Sequence, residues 1–175
     1  MLLYKDSLHP AMISTPEGVA KIFAEHKHKH GNTPLVATSG AFDPIHHGHL
    51  RCIQSSALLK GPDGLLVVIV NGDGFLHRKK GYVFMPLQER MELIAGLKGV
   101  DLVVPWDDGG QFVSGAIEIM KPNIFAKGGD RSVAENVPEY DTCIKTGCTV
   151  VFGIGGSEKL NSSSELIRRY QLPKE

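Results

Sequence analysis

The residues best suited to chemistry in this chain lie in one stretch, Gly40-Ala41-Phe42-Asp43-Pro44-Ile45-His46-His47-Gly48-His49. It follows an apolar run (Leu35-Val36-Ala37-Thr38) and precedes Leu50, Ile53, Ala57 and Leu58 at helical spacing, so it reads as strand, tight turn and helix start. Unpaired backbone N–H groups and the helix dipole make such a start an anion site. His46 and His49 are three residues apart and face one side of a first helical turn. Gly48 between them removes a side chain where a phosphate must approach the backbone. Two imidazoles, a bare glycine and a helix N-terminus together read as a grip for a polyphosphate. A zinc site would need a third and fourth ligand at recognisable spacing, and His77, Cys143 and Cys148 do not supply one, so no protein-held metal site is expected.

The elements that must hold this grip follow from the rest of the pattern. Strand-like apolar runs occur at 34–39, 65–70, 101–104, 123–126 and 148–153, and helical patterns at 48–60, 86–98, 110–120, 139–146 and 162–171. Alternation of strand and helix predicts a parallel sheet covered on both faces: a Rossmann-like, doubly wound, five-stranded α/β fold in three layers. Leu65-Leu66-Val67-Val68-Ile69-Val70 is what a strand buried on both faces requires. Gly61 and Gly147 mark helix stops. Residues 1–33 form a separate helical extension before a domain at 34–175. Thr15-Pro16-Glu17 starts its helix and Val19, Ile22 and Phe23 form an apolar stripe. His26, His28 and His30, two apart, do not share a helix face and read as a solvated cationic helix end.

Composition limits the class. The chain has 175 residues, enough for one full core, with 42% hydrophobic and 22% charged residues. Nineteen Lys and Arg balance nineteen Asp and Glu, which excludes a general nucleic-acid or membrane-surface binder, so any polyanion site must arise from local placement. No run is long enough to span a membrane, no signal-peptide pattern opens the chain, and three cysteines without a disulfide framework fit a cytoplasmic protein with ordinary buried thiols at Cys143 and Cys148.

In an open α/β sheet, ligands bind beyond the carboxyl ends of the strands. The polar clusters fall there: Thr38-Ser39-Gly40, Asn71-Gly72-Asp73-Gly74, Trp106-Asp107-Asp108-Gly109-Gly110, Lys127-Gly128-Gly129-Asp130-Arg131 and Gly153-Ile154-Gly155-Gly156. Five such loops converging on one edge predict a single site.

These residues resemble a family. Gly40-x-Phe42-Asp43 with His46-x-Gly48-His49 is similar to the H-x-G-H signature of the cytidylyltransferase-like nucleotidyltransferases. Val70-Asn71-Gly72-Asp73, Lys79-Lys80-Gly81, Pro86-Leu87-Gln88-Glu89-Arg90-Met91, Lys127-Gly128-Gly129-Asp130 and Ser162-Ser163-Ser164 follow in the family's order, over roughly residues 34 to 171. Within the family the likeness is nearest to the adenylyltransferase domain of ADP-heptose synthases, and more distant to glycerol-3-phosphate cytidylyltransferases.

The resemblance implies transfer of an NMP unit, AMP before CMP, from a nucleoside triphosphate to a phosphorylated small molecule such as a sugar phosphate, with release of pyrophosphate. Positioning and charge stabilisation dominate such a step. It implies His46, His49, Lys79 and Lys80 as catalytic groups, the lysines on a mobile loop that closes over the phosphates. Nucleotide binding falls to Gly40, Ala41, Phe42, Gly48, Lys127, Gly129, Asp130, Gly155, Ser162, Ser163 and Ser164. Substrate binding falls to Asp43, Asn71, Asp73, Arg90, Trp106 and Arg131. Asp43 either orders its loop or faces substrate, Arg90 either pairs with an acceptor phosphate or braces the loop before it, and Trp106 either stacks on an acceptor or covers the core edge. The serines cap the last helix or contact the triphosphate. Mg²⁺, held mainly by the triphosphate, is the implied cofactor, and a homodimer the implied assembly. Alternatives are a cytidylyltransferase acting on a polyol or amino-alcohol phosphate, and a catalytically silent nucleotide-binding regulator. Two departures bear on the acceptor: Tyr82-Val83 stands where relatives carry Arg-Pro, leaving Arg78 or Lys80 to substitute, and Asn161 precedes the serine run.

Overall fold

The computed structural model describes residues 11–128, 137–156 and 162–171. Gly129, Asp130, Arg131 and Asn161 lie outside the described residues. In chain order the elements are β1 (Met12–Ile13), α1 (Pro16–His30), β2 (Leu35–Gly40), α2 (His47–Leu59), β3 (Leu65–Asn71), α3 (Asp73–Lys80), α4 (Leu87–Ala95), β4 (Leu102–Trp106), α5 (Ser114–Met120), β5 (Ile124–Gly128), α6 (Tyr140–Thr146), β6 (Thr149–Ile154) and α7 (Ser163–Gln171).

All pairings among the described strands are parallel, in the order β1-β4-β3-β2-β5-β6. The expected Rossmann-like three-layer fold is present, with six strands where five were read. The added strand is β1, two residues that pair Met12 with Leu102 and Ile13 with Val103. Nothing periodic marks so short a segment; it exists because β4 offers an open edge.

Alternate residues along each strand feed two cores. On one face Ala37, Val67, Ile69 and Val104 meet Val19 and Phe23 of α1 and Ala116, Ile117 and Met120 of α5. On the other, Val36, Leu66, Val68 and Val70 meet Ile53 of α2 and Met91, Ile94 and Ala95 of α4. The N-terminal helix is therefore built into the first core through the stripe read from sequence. It is capped as its residues dictate, with the Thr15 hydroxyl accepting the N–H of Gly18 at 3.1 Å and Pro16 in the first turn.

The chain winds one way from β2 through β3 to β4 and the other way through β5 to β6. The direction changes between β2 and β5, and a crevice opens there at the carboxyl ends of the strands. A register shift between β5 and β6 falls between Ala126 and Gly128, so Lys127 projects from an irregular strand end.

The sequence pattern places Lys79 and Lys80 on a loop, but they form the last turn of α3, ended by Gly81 in the left-handed conformation at φ 80°. Asp73 in its first turn and four basic residues in its last complement the helix dipole. The opposite correction applies to α5, which starts at Ser114 and leaves 107–113 as a connecting loop rather than helix.

Candidate active site

A cleft of about 590 Å³ lies over the crevice between β2 and β5. Gly40, Ala41, Phe42, His46, Gly48 and His49 form one wall, from the β2–α2 turn. Asn71, Lys79 and Lys80 come from β3 and α3, Lys127 from β5, Gly155 from the β6 loop, and Ser162, Ser163 and Ser164 from the start of α7. The structure thus gathers into one cavity residues from six separate sequence motifs.

The β2–α2 turn is shaped by sterics. A Cβ on Gly40 would sit 2.9 Å from the ring of Phe42. Phe42 itself takes a left-handed backbone at φ 53°, unusual for a bulky residue, and its buried ring holds it there. His46 caps α2 reciprocally with His49: the N–H of His49 donates to His46 Nδ1 at 3.4 Å, and the N–H of His46 donates to His49 Nδ1 at 3.3 Å. The rings stack with centroids 3.7 Å apart, and the Phe42 ring meets His49 edge-on.

This geometry fixes chemistry. With both Nδ1 atoms accepting, each neutral imidazole carries its proton on Nε2 and is a donor there. Burial, helped by His46 and Lys80, lowers the His49 pKa to about 3. Burial, then His47 and Lys80, lowers that of His46. At neutral pH the pair is an uncharged double donor, suited to phosphate oxygens.

Lys80 reaches the turn, donating to the Asp43 carbonyl at 3.2 Å. Burial lowers its pKa, opposed by Asp43 and reinforced by Lys79 and Arg90. Lys79 is exposed and lies 5.4 Å over the ring of Phe75, a cleft residue. Lys127 is buried on the cleft floor, donates to the Ser39 hydroxyl at 3.2 Å and faces Glu139 at 3.3 Å.

Four expected substrate contacts lie behind the cleft wall. Arg90 is fully buried; it donates to the carbonyls of Met85, Ala41 and Asn71 at 2.9, 2.8 and 2.6 Å and pairs with Asp73 at 2.5 Å. It braces the site and has no face toward a ligand. Asp73 is spent on that pair and on the N–H of Leu87. Asp43, also buried, accepts the N–H groups of Phe84 and Met85 at 3.0 and 2.6 Å, so it orders the loop. Trp106 donates to the Phe112 carbonyl at 3.2 Å and packs on Gly115 and the first core, outside the cleft lining. Arg78, a proposed stand-in for the arginine absent at Tyr82, is held by Asp107 and the Gly110 carbonyl.

The serines divide their roles. Ser162 accepts the N–H of Glu165 as a cap, Ser163 donates to the Pro44 carbonyl at 2.8 Å, and Ser164 is exposed in the cleft. Gly155 is demanded by contact: a Cβ there would meet the backbone of Cys52 at 2.8 Å. Cleft residues missed in the sequence are Cys52, Phe75, Gln111, Phe112, Val113, Pro138 and Glu139. Glu139 looked like an ordinary helix start, and only tertiary placement brings it to Lys127.

Comparisons with known proteins identify the family. The cytidylyltransferase-like family model matches residues 37–169. The protein "Bifunctional protein HldE" of Hahella chejuensis is 35% identical over 138 residues, covering 78% of this chain and 26% of the relative. That of Alcanivorax borkumensis is 37% identical over 105 residues, covering 59% and 21%. The chain thus spans about a quarter of the length of these curated relatives. Among solved structures, a lipopolysaccharide core biosynthesis protein from Thermoplasma volcanium matches with a TM-score of 0.54 and 26% identity, over 70% of this chain and 95% of that one. The chain belongs to the cytidylyltransferase-like family and is a nucleotidyltransferase.

Proposed function

We propose that this chain transfers AMP from ATP to a sugar phosphate and releases pyrophosphate. A phosphate oxygen of the acceptor attacks the α-phosphorus, a new P–O bond forms, and the bond from the α-phosphorus to the bridging oxygen of the leaving pyrophosphate breaks. The observation that carries this reading is the reciprocally capped His46–His49 pair, whose two Nε2–H donors are fixed at a helix N-terminus in a cleft that Lys79, Lys80 and Lys127 also line. Neutral imidazoles donate to the triphosphate and to charge growing on the α-phosphate, and they need no reorientation as the step proceeds. Lys80 and Lys79 draw the β- and γ-phosphates, and the exposed Ser164 hydroxyl offers a further donor. Gly155 leaves its backbone bare for the nucleoside.

Mg²⁺, when bound, would neutralise charge on the triphosphate. Asp43 has both carboxylate oxygens occupied by backbone N–H groups, so it orders its loop, and the ion would be held by phosphate and water. AMP and a sugar phosphate are favoured by the likeness to HldE and to ADP-heptose synthase; a homodimer is the corresponding assembly, tested by light scattering on the eluted protein.

The test is pyrophosphate release with Mg²⁺, each of the four ribonucleoside triphosphates, and a panel of sugar, polyol and amino-alcohol phosphates. Release that requires ATP and one sugar phosphate together is the expected result. CTP with a polyol phosphate would replace both substrate assignments, and nucleotide binding without turnover would establish the regulator instead.

A further inference from the structure

Lys127 and Glu139 form a buried pair at the cleft floor, 6% and 5% exposed. Glu139 Oε2 lies 3.3 Å from Lys127 Nζ yet is buried with no properly oriented hydrogen bond, and Oε1 accepts the N–H of Val113 at 3.4 Å. Lys127 Nζ also sits 4.3 Å over the ring of Phe125, which is fully buried. Removing two charges from water is costly, so a buried pair is by itself weak evidence of a stabilising device. Its position gives it another use. A carboxylate beside a buried ammonium favours its charged form and holds it from turning to solvent. Val113 joins the Gln111-Phe112 wall to α5, so Glu139 ties the cation on the floor to that wall.

We infer that Glu139 is a positioning residue, holding the Lys127 ammonium charged and in place on the cleft floor so that it meets substrate phosphate. This rests on the reading of the cleft as a nucleotidyl-transfer site. The carboxylate makes no substrate contact of its own and acts through Lys127.

A double-mutant cycle tests it. Glu139→Gln, Lys127→Met and the double variant are compared for kcat and KM in pyrophosphate release, and for Mg·ATP binding by calorimetry. Glu139→Gln should cost roughly 10- to 100-fold in kcat/KM. Glu139→Asp, which keeps the charge, should recover part of the loss. In the Lys127→Met background, Glu139→Gln should cost nothing further. Losses that multiply in the double variant, or unchanged kcat and KM in Glu139→Gln beside a large loss in Lys127→Met, would overturn the inference. If Glu139→Gln fails to fold, Glu139→Asp completes the cycle. Absence of turnover in the wild type would instead defeat the functional reading, and the binding cycle would still decide whether Glu139 acts through Lys127.

Discussion

Two buried cations flank the cleft, and they are held in opposite ways. Arg90 spends its fork on three backbone carbonyls and a carboxylate, all at 2.5 to 2.9 Å. Its partners come from the β2–α2 turn, the end of β3, the segment before α4 and the start of α3, so one guanidinium fastens four pieces of backbone together. Lys127 meets a hydroxyl, a carboxylate and a ring at 3.2, 3.3 and 4.3 Å. A planar fork suits the first task and a compact point charge the second. The first arrangement is scaffold, and the second sets a charge in the lining of the cleft.

The sharpest way to break this contrast is Arg90→Lys. An ammonium cannot reach the Met85, Ala41 and Asn71 carbonyls at once, so buried acceptors are left without donors. Urea unfolding should show a loss of about 3–5 kcal/mol, the usual cost of breaking a buried charged network. A loss below about 1 kcal/mol would mean the four segments hold one another without the arginine.

His49→Asn tests the turn that Arg90 supports. An asparagine oxygen can still accept the His46 N–H, preserving the cap, while the distal Nε2–H donor is gone. Pyrophosphate release should fall by about 10²–10³-fold, as for removal of one transition-state donor, with the unfolding midpoint little changed. Near-native turnover would remove the imidazole pair from the chemistry.

How far the sequence shows this contrast depends on the range over which each signal acts. The β3 strand, the helix stop at Gly61 and the histidine turn are local patterns, and each is legible in a few adjacent residues. The cleft-floor lysine was found for a similar reason, since it ends an apolar strand in a glycine-rich loop. Arg90 was located correctly in a helix, but two roles stayed open because its partners lie 5 to 49 residues away. Glu139 gave no sign at all; its meaning comes from an approach to Lys127 that only folding creates. The α3 helix was overlooked because it buries only Phe75 and Leu76, although Asp73, its basic last turn and Gly81 did mark its ends.

Acid provides a milder probe of the histidine wall. The His49 pKa is lowered to about 3, chiefly by burial, so between that value and 6.5 the unfolded chain binds a proton that the folded chain does not. Stability must therefore fall as pH drops below about 6.5, and His46, lowered likewise, adds in the same direction. Between pH 7 and pH 5 His49 contributes a loss of about 2 kcal/mol. Urea midpoints of wild type and His49→Asn at the two pH values measure it, and the variant should lose less; equal shifts in both would place the acid sensitivity elsewhere.

The smallest expected change in stability is the most discriminating for the Lys127 side. Replacing both members of the pair, Lys127→Met with Glu139→Met, removes the two charges together and fills their volume with apolar groups. If the pair were scaffold like the Arg90 network, this double variant would lose several kcal/mol. If the pair serves the site instead, the desolvation cost it carries disappears with it, and unfolding should change by less than about 1 kcal/mol or shift toward greater stability. Lys127→Met alone should be the less stable protein, because it strands the Glu139 carboxylate among buried neighbours. A double variant that keeps its urea midpoint but no longer releases pyrophosphate would separate the roles of the two cations: one can be dispensed with by the fold but not by the reaction, whereas the other is required by the fold before any reaction begins.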